Sequence, residues 1–197
     1  MCIRDSQDTL DGICHVAHEN DCRAHLDGAR LFNAAIGSGT DPARMVRDFD
    51  TISVCLSKGL GAPVGSVLVG DADTISRSRR WRKTFGGGMR QSGILAAAGI
   101  YALENNIERL SEDHIRASRL AESINAMDSF SVKLEGVQSN MVYVQCMEES
   151  ASEVARRLAE LGVDVSVETD SIVRAVAHLH ITDEDIDTAI EAFEKSQ

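Results

Sequence analysis

The run Ile52-Ser53-Val54-Cys55-Leu56 leads straight into Ser57-Lys58-Gly59-Leu60-Gly61-Ala62-Pro63. A short, mostly apolar segment closed by a glycine-rich turn reads as a buried strand of an α/β sheet. That strand delivers one lysine to its end, where glycine and alanine leave room for a flat group to approach. An amine desolvated there holds its proton less firmly and can attack a carbonyl to form a Schiff base. Lys58 follows Asp27 by 31 residues. Asp27 ends an earlier short strand, so its carboxylate could face the same crevice as a fixed negative charge. The plainer alternatives are a solvated lysine at a strand end and an aspartate capping the turn into Gly28.

The rest of the chain predicts helices and strands in alternation, the pattern of an α/β domain. Residues 10–20 read as a helix with Ile13, Val16 and Ala17 on one face, and residues 23–27 as a short strand. Thr40-Asp41-Pro42-Ala43 is a helix start, with a capping side chain followed by proline in the first turn. Residues 50–57 and 64–69 are apolar strands suited to a sheet covered on both faces. A basic helix over 71–83 is broken by Gly86-Gly87-Gly88 before a helix rich in small residues over 91–103. Residues 106–126 carry Ile107, Leu110, Ile115, Leu120 and Ile124 at helical spacing and join two regions. Beyond them, strand 140–146, helix 152–161 closed by Gly162, strands 163–167 and 172–179 and a helix from Asp183 make a βαββα unit. Thr182 with Asp185 is a capping-box variant. The boundary falls near Glu108, giving domains of 1–108 and 109–197, and neither internal repeats nor low-complexity sequence interrupts them.

Charge narrows the function. A formal net charge of −11 argues against a nucleic-acid surface, which needs concentrated Lys and Arg. The basic cluster from Arg77 to Lys83, with Arg79, Arg80 and Arg82, suits one small anion rather than a duplex. Gly86-Gly87-Gly88-Met89-Arg90 is either a hinge or part of an anion site in which backbone N–H groups at a helix start are joined by Lys83 and Arg90. Arg174 interrupts the apolar run Ile172-Val173-Arg174-Ala175-Val176, so a carboxylate of the protein or of a ligand should meet it.

Cys2, Cys14, Cys22, Cys55 and Cys146 are an odd, unevenly spaced set without CxxC pairs, which favours a reducing compartment. Cys14, His18 and Cys22 recur every four residues, with His25 following. Their spacing matches no standard zinc pattern, and no metal is expected. His114, His178 and His180 are expected to be structural or solvated. With no secretory leader and no apolar run of membrane-spanning length, the expected location is the cytoplasm.

Three blocks occur in order: His25-Leu26-Asp27-Gly28-Ala29-Arg30-Leu31-Phe32-Asn33-Ala34-Ala35, then Ser57 to Ser66, then Gly86-Gly87-Gly88-Met89-Arg90-Gln91. Together they resemble the low-specificity L-threonine aldolases, fold-type I pyridoxal phosphate (PLP) enzymes of the aromatic amino acid β-eliminating lyase/threonine aldolase family. The resemblance runs from about Asp11 to the C-terminus. It implies the C-terminal part of a fold-type I large domain over 1–108 and a small α+β domain over 109–197.

It further implies that Lys58 forms the Schiff base with PLP, that Asp27 pairs with the pyridine nitrogen, and that Arg30 contacts the ring oxygen or the substrate. Lys83 and Arg90 are implied near the cofactor phosphate or the substrate, and Arg174 at the α-carboxylate of the amino acid. The implied reaction is retro-aldol cleavage of L-threonine or L-allo-threonine to glycine and an aldehyde, in a homodimer or homotetramer with no nucleic-acid or membrane partner. Another PLP lyase performing β-elimination, or a non-catalytic remnant, is the alternative.

A complete family member should also carry, upstream of the aspartate block, a phosphate-binding Gly-Ser/Thr turn, a ring-stacking histidine and the catalytic base. Met1 to Ser6 matches nothing in the pattern. The expectation is therefore a C-terminal fragment, inactive alone.

Overall fold

In the computed structural model, which describes residues 5–197, the chain falls into two units, Asp5–Glu108 and Arg109–Gln197. The first four residues of the unmatched Met1–Ser6 stretch, Cys2 among them, lie outside the described residues.

In the first unit Ser6 caps helix α1 (Gln7–Glu19), its hydroxyl oxygen accepting the Thr9 N–H. The face expected from Ile13, Val16 and Ala17 is not the buried one. Leu10 and Cys14 turn inward, while Ile13 and Val16 are exposed. Leu10 joins the core under the unit's sheet, and beside it Asp11 takes a two-pronged ion pair from Arg44 at 2.9 and 2.5 Å.

Strand β1 (His25–Gly28) is followed by α2 (Leu31–Ser38), a helix not singled out in the sequence, which ends where Gly39 turns left-handed at φ 64°. Helix α3 (Pro42–Val46) starts as expected, with the Asp41 carboxylate accepting the Ala43 N–H at 2.6 Å. Strands β2 (Thr51–Cys55) and β3 (Ser66–Gly70) complete a sheet of order β1-β2-β3. β1 and β2 are parallel, and β3 runs antiparallel to β2. Leu10, Leu31, Ala35, Met45, Ile52 and Val54 form the core under this sheet.

The sheet is not covered throughout, contrary to the expectation for two apolar strands. β2 buries Ile52 and Val54, but Val67, Leu68 and Val69 of β3 are exposed on both faces. The neighbouring helix α4 (Ala72–Thr84) is too polar and basic to offer an apolar stripe, and it buries none of its residues. The apolar helix α5 (Gly93–Asn105) buries only Gly99 and Ala102 and leaves Ile94, Ile100 and Tyr101 outside.

The second unit begins with α6 (Leu110–Asn125), which starts later than its periodicity predicts. Asn106 ends α5 instead, donating its side-chain amide to the Leu60 carbonyl at 2.7 Å. The inward stripe of α6 is Leu110, Asp113, Ala117, Leu120, Ala121 and Ile124, so Ile115 falls on the opposite side and is exposed. Asp113 can sit in that stripe because Arg109 meets its carboxylate at 2.6 and 3.2 Å.

Strand β4 (Phe130–Val132) is too short to stand out in the sequence. β5 (Met141–Cys146), helix α7 (Ala151–Glu160), β6 (Ser166–Thr169), β7 (Ile172–Val176) and α8 (Asp183–Lys195) follow. The antiparallel sheet has the order β4-β5-β7-β6. Residues 163–165, expected in a strand, precede the pairing, with Val163 and Val165 packed against the core instead. Alternation sends Val142, Val144, Cys146 and Val173 into a core shared with the three helices, where Phe130 and Phe193 meet edge to face at 5.2 Å. The Thr182 and Asp185 capping box forms in full at the start of α8. No helix among the described residues is long and apolar enough to cross a membrane.

Candidate active site

Because β1 and β2 are parallel neighbours, with Asp27 opposite Ser53 and Gly28 opposite Val54, both chains leave the sheet at the same edge. Gly28 allows that pairing, since a Cβ there would lie 2.9 Å from the Ser53 carbonyl oxygen. Asp27 is exposed, and its Oδ1 accepts the Ala29 N–H at 3.1 Å, the turn-capping role available to it. Among the described residues its Oδ2 has no partner. Arg30, half-buried, begins α2 and accepts the Ala34 N–H on its carbonyl.

Beyond β2 the chain folds into a loop pinned by its own backbone. Leu56 N–H donates to Gly65, Ala62 N–H to Leu56, and Gly61 N–H to Lys58. Gly61 is left-handed at φ 73°, which this turn requires. Leu56, Leu60 and Ala62 are buried, and a Cβ on Gly99 of α5 would meet Leu56 at 3.0 Å, so the loop is seated on that helix.

Lys58 projects from the seated loop, exposed rather than desolvated, because the described residues build no wall over it. Beside it, burial raises the Cys55 thiol, but hydrogen bonds with Ser57 and Ser66 and the Lys58 ammonium outweigh that and hold it below its ordinary value. This cysteine was not singled out by sequence reasoning, and its only signal is its place three residues before the lysine.

Lys83 and Arg90 are both exposed, at the end of α4 and in the loop beyond. That loop folds back on α4, with Gly87 N–H donating to Arg82 and Gly86 N–H to Lys83. Ser92 makes no side-chain cap on α5, and Gln91 before it holds a left-handed φ of 52°.

Arg174 lies in the second unit. It is not buried unpaired: its Nη1 meets Glu168 Oε1 at 3.1 Å, with both side chains about one-third exposed. A carboxylate of the protein thus meets one nitrogen of the guanidinium. Glu168 and Tyr143, which pairs opposite Arg174 across the sheet, went unrecognised because strand register is not written in the local sequence. Of the metal-like set, His18 Nε2 pairs with Asp50 at 3.0 Å and His25 Nδ1 with Thr51 at 2.8 Å.

The family model described as Beta-eliminating lyase matches residues 5–147. The low-specificity L-threonine aldolase of Escherichia coli K12 is 44% identical over 85% of this chain and 49% of its own length. Low-specificity L-threonine aldolase 1 of Arabidopsis thaliana is 38% identical over 97% of this chain and 54% of its own. The chain spans about half the length of the curated relatives it matches. Among solved structures, the threonine aldolase of Leishmania major superposes with a TM-score of 0.78 at 18% identity, over 98% of this chain and 57% of that one. The α/β fold expected from the sequence is borne out by this likeness.

Proposed function

Since the chain belongs to the beta-eliminating lyase family, we propose that it is the lysine-bearing part of a PLP-dependent aldolase that cleaves L-threonine or L-allo-threonine to glycine and an aldehyde. One observation carries the reading. Asp27 near the end of β1 and Lys58 just beyond β2 lie at the same end of two adjacent parallel strands, the first with a carboxylate oxygen unpaired among the described residues and the second with a projecting amine. These two groups fit the cofactor, an aldehyde with a ring nitrogen. PLP held there would supply an electron sink for the pair released when the Cα–Cβ bond breaks.

In this reading Lys58 would supply the amine that holds the cofactor through its aldehyde. Asp27 keeps a proton on the ring nitrogen through Oδ2, and each unit of pKa so gained favours the charged ring by about 1.4 kcal/mol. Arg30 contacts the ring oxygen or the substrate. Lys83 and Arg90 supply positive charge to the phosphate or the substrate. Arg174 grips the α-carboxylate in a two-pronged fork. Cytoplasmic location and a homodimeric or homotetrameric enzyme belong to the same proposal.

The exposure of Lys58 and the bare strand β3 support the further reading that these 197 residues alone bind PLP weakly and turn over little. Borohydride reduction of the PLP-treated chain followed by peptide mass spectrometry should find a pyridoxyl group on Lys58, absent in Lys58→Ala. In a version extended to the length of its relatives, threonine should yield glycine and acetaldehyde. Ammonia with an α-keto acid instead would establish β-elimination, and the lack of any Lys58 adduct in either version would favour a non-catalytic protein.

A further inference from the structure

The face of the second unit's sheet that points away from its helices carries Arg174, with Ser166 directly opposite on β6 and Tyr143 directly opposite on β5. β6 is irregular at that point. Val167 pairs with Val173 and Thr169 with Ile172, so Glu168 is the extra residue of a bulge. Bulges re-aim side chains, and this one brings the Glu168 carboxylate to 3.1 Å from Arg174 Nη1.

The rest of the guanidinium is poorly used. Nη2 has only a long contact to the Ser166 hydroxyl at 3.5 Å, and Nε is buried with no hydrogen-bond partner among the described residues. Nε and Nη2 share one edge of the planar group, the edge that takes a carboxylate through two parallel bonds. A buried donor without an acceptor is costly, so the unpaired Nε points to an acceptor that belongs on that edge.

We propose that Glu168 is a positioning residue, whose carboxylate clamps Nη1 of Arg174 and so presents the Nε and Nη2 edge to the α-carboxylate of an amino acid. The proposal rests on the carboxylate-binding role given to Arg174 above. A clamp and a competitor make opposite demands. A clamp needs an acceptor at position 168, with or without charge, whereas a competitor would be relieved by any substitution there.

The test uses the ¹⁵N-labelled 197-residue chain. Its Arg174 Nε–H resonance is identified by its disappearance in Arg174→Lys, and glycine is the titrated ligand, with acetate and methylammonium as controls. Glycine and acetate should shift that resonance saturably, and methylammonium should not. Glu168→Ala should move the resonance in the free protein and weaken glycine binding by about fivefold, because an unclamped arginine must be ordered on binding. Glu168→Gln, which keeps an acceptor, should restore binding to within about twofold of the original. Unchanged or tighter glycine binding in Glu168→Ala overturns the proposal, as does the absence of a saturable shift in the unsubstituted chain. If Arg174→Lys binds glycine as well as the original, the carboxylate role of Arg174 falls. The response of the free Arg174 resonance to Glu168→Ala then still reports the clamp separately.

Discussion

The second unit puts its apolar side chains inside, whereas the first puts many of them outside. In Arg109–Gln197 one sheet and three helices close over Val144, Leu158, Val173 and Phe193, each essentially inaccessible. In Asp5–Glu108 the part from α1 to β2 has a small core of its own, but Phe85 is 80% and Ile94 84% exposed, and Ser66 to Val69 of β3 are exposed. Large apolar side chains exposed in such number are uncommon on a free surface and suit burial against something else. The difference teaches that the second unit satisfies its apolar side chains within itself, whereas the first does not.

Substitution can break that contrast or sharpen it. The largest effect belongs to Phe193→Ala, which should destabilise the second unit by about 3–5 kcal/mol in urea unfolding, through lost burial and a cavity beside Phe130. Asp113→Ala should cost about 2–3 kcal/mol by the same measurement, since it leaves the Arg109 guanidinium, 15% exposed, with only the longer 3.8 Å contact to Glu112 among the described residues.

The pH dependence of the first unit should reside partly in Asp11, whose carboxyl is held well below the ordinary range first by its hydrogen bonds from Arg44 and then by Gln7. A depressed folded pKa gives stability that is present above the unfolded value of about 4 and lost as pH falls below it. Acid unfolding of Asp11→Asn should therefore lose part of the slope below pH of about 4. The smallest effect is expected for Leu68→Lys on β3, within about 0.5 kcal/mol in stability, with a clear drop in light scattering from aggregates. Should that change cost as much as Phe193→Ala, the contrast between the units would be wrong.

The sequence carried those parts of the fold that depend on near neighbours. The Asp41 and Thr182 caps and the apolar β2 with its glycine-rich turn are all local, and all stand where the sequence predicts. What escaped depends on partners far along the chain. Which face of α1 is buried is decided by the core that Leu10 joins, made of Leu31, Ala35, Met45, Ile52 and Val54 far along the chain. The end of α5 is decided by the bond between Asn106 and Leu60, 46 residues apart. Of the candidate site, Asp27 and Lys58 stand out in the sequence because each comes at or just after a short strand, Asp27 within β1 and Lys58 three residues beyond β2. The Glu168 partner of Arg174 does not, because a bulge is set by pairing rather than by composition.

Gly28 has a consequence that reaches past its own position. With a carbonyl oxygen lying where its methyl would go, any replacement must pry apart β1, which carries Asp27, and β2, which leads into the Lys58 loop. The spacing between the Asp27 carboxylate and the Lys58 loop is therefore guarded by a missing atom, and a change at residue 28 would be felt at two side chains it never touches.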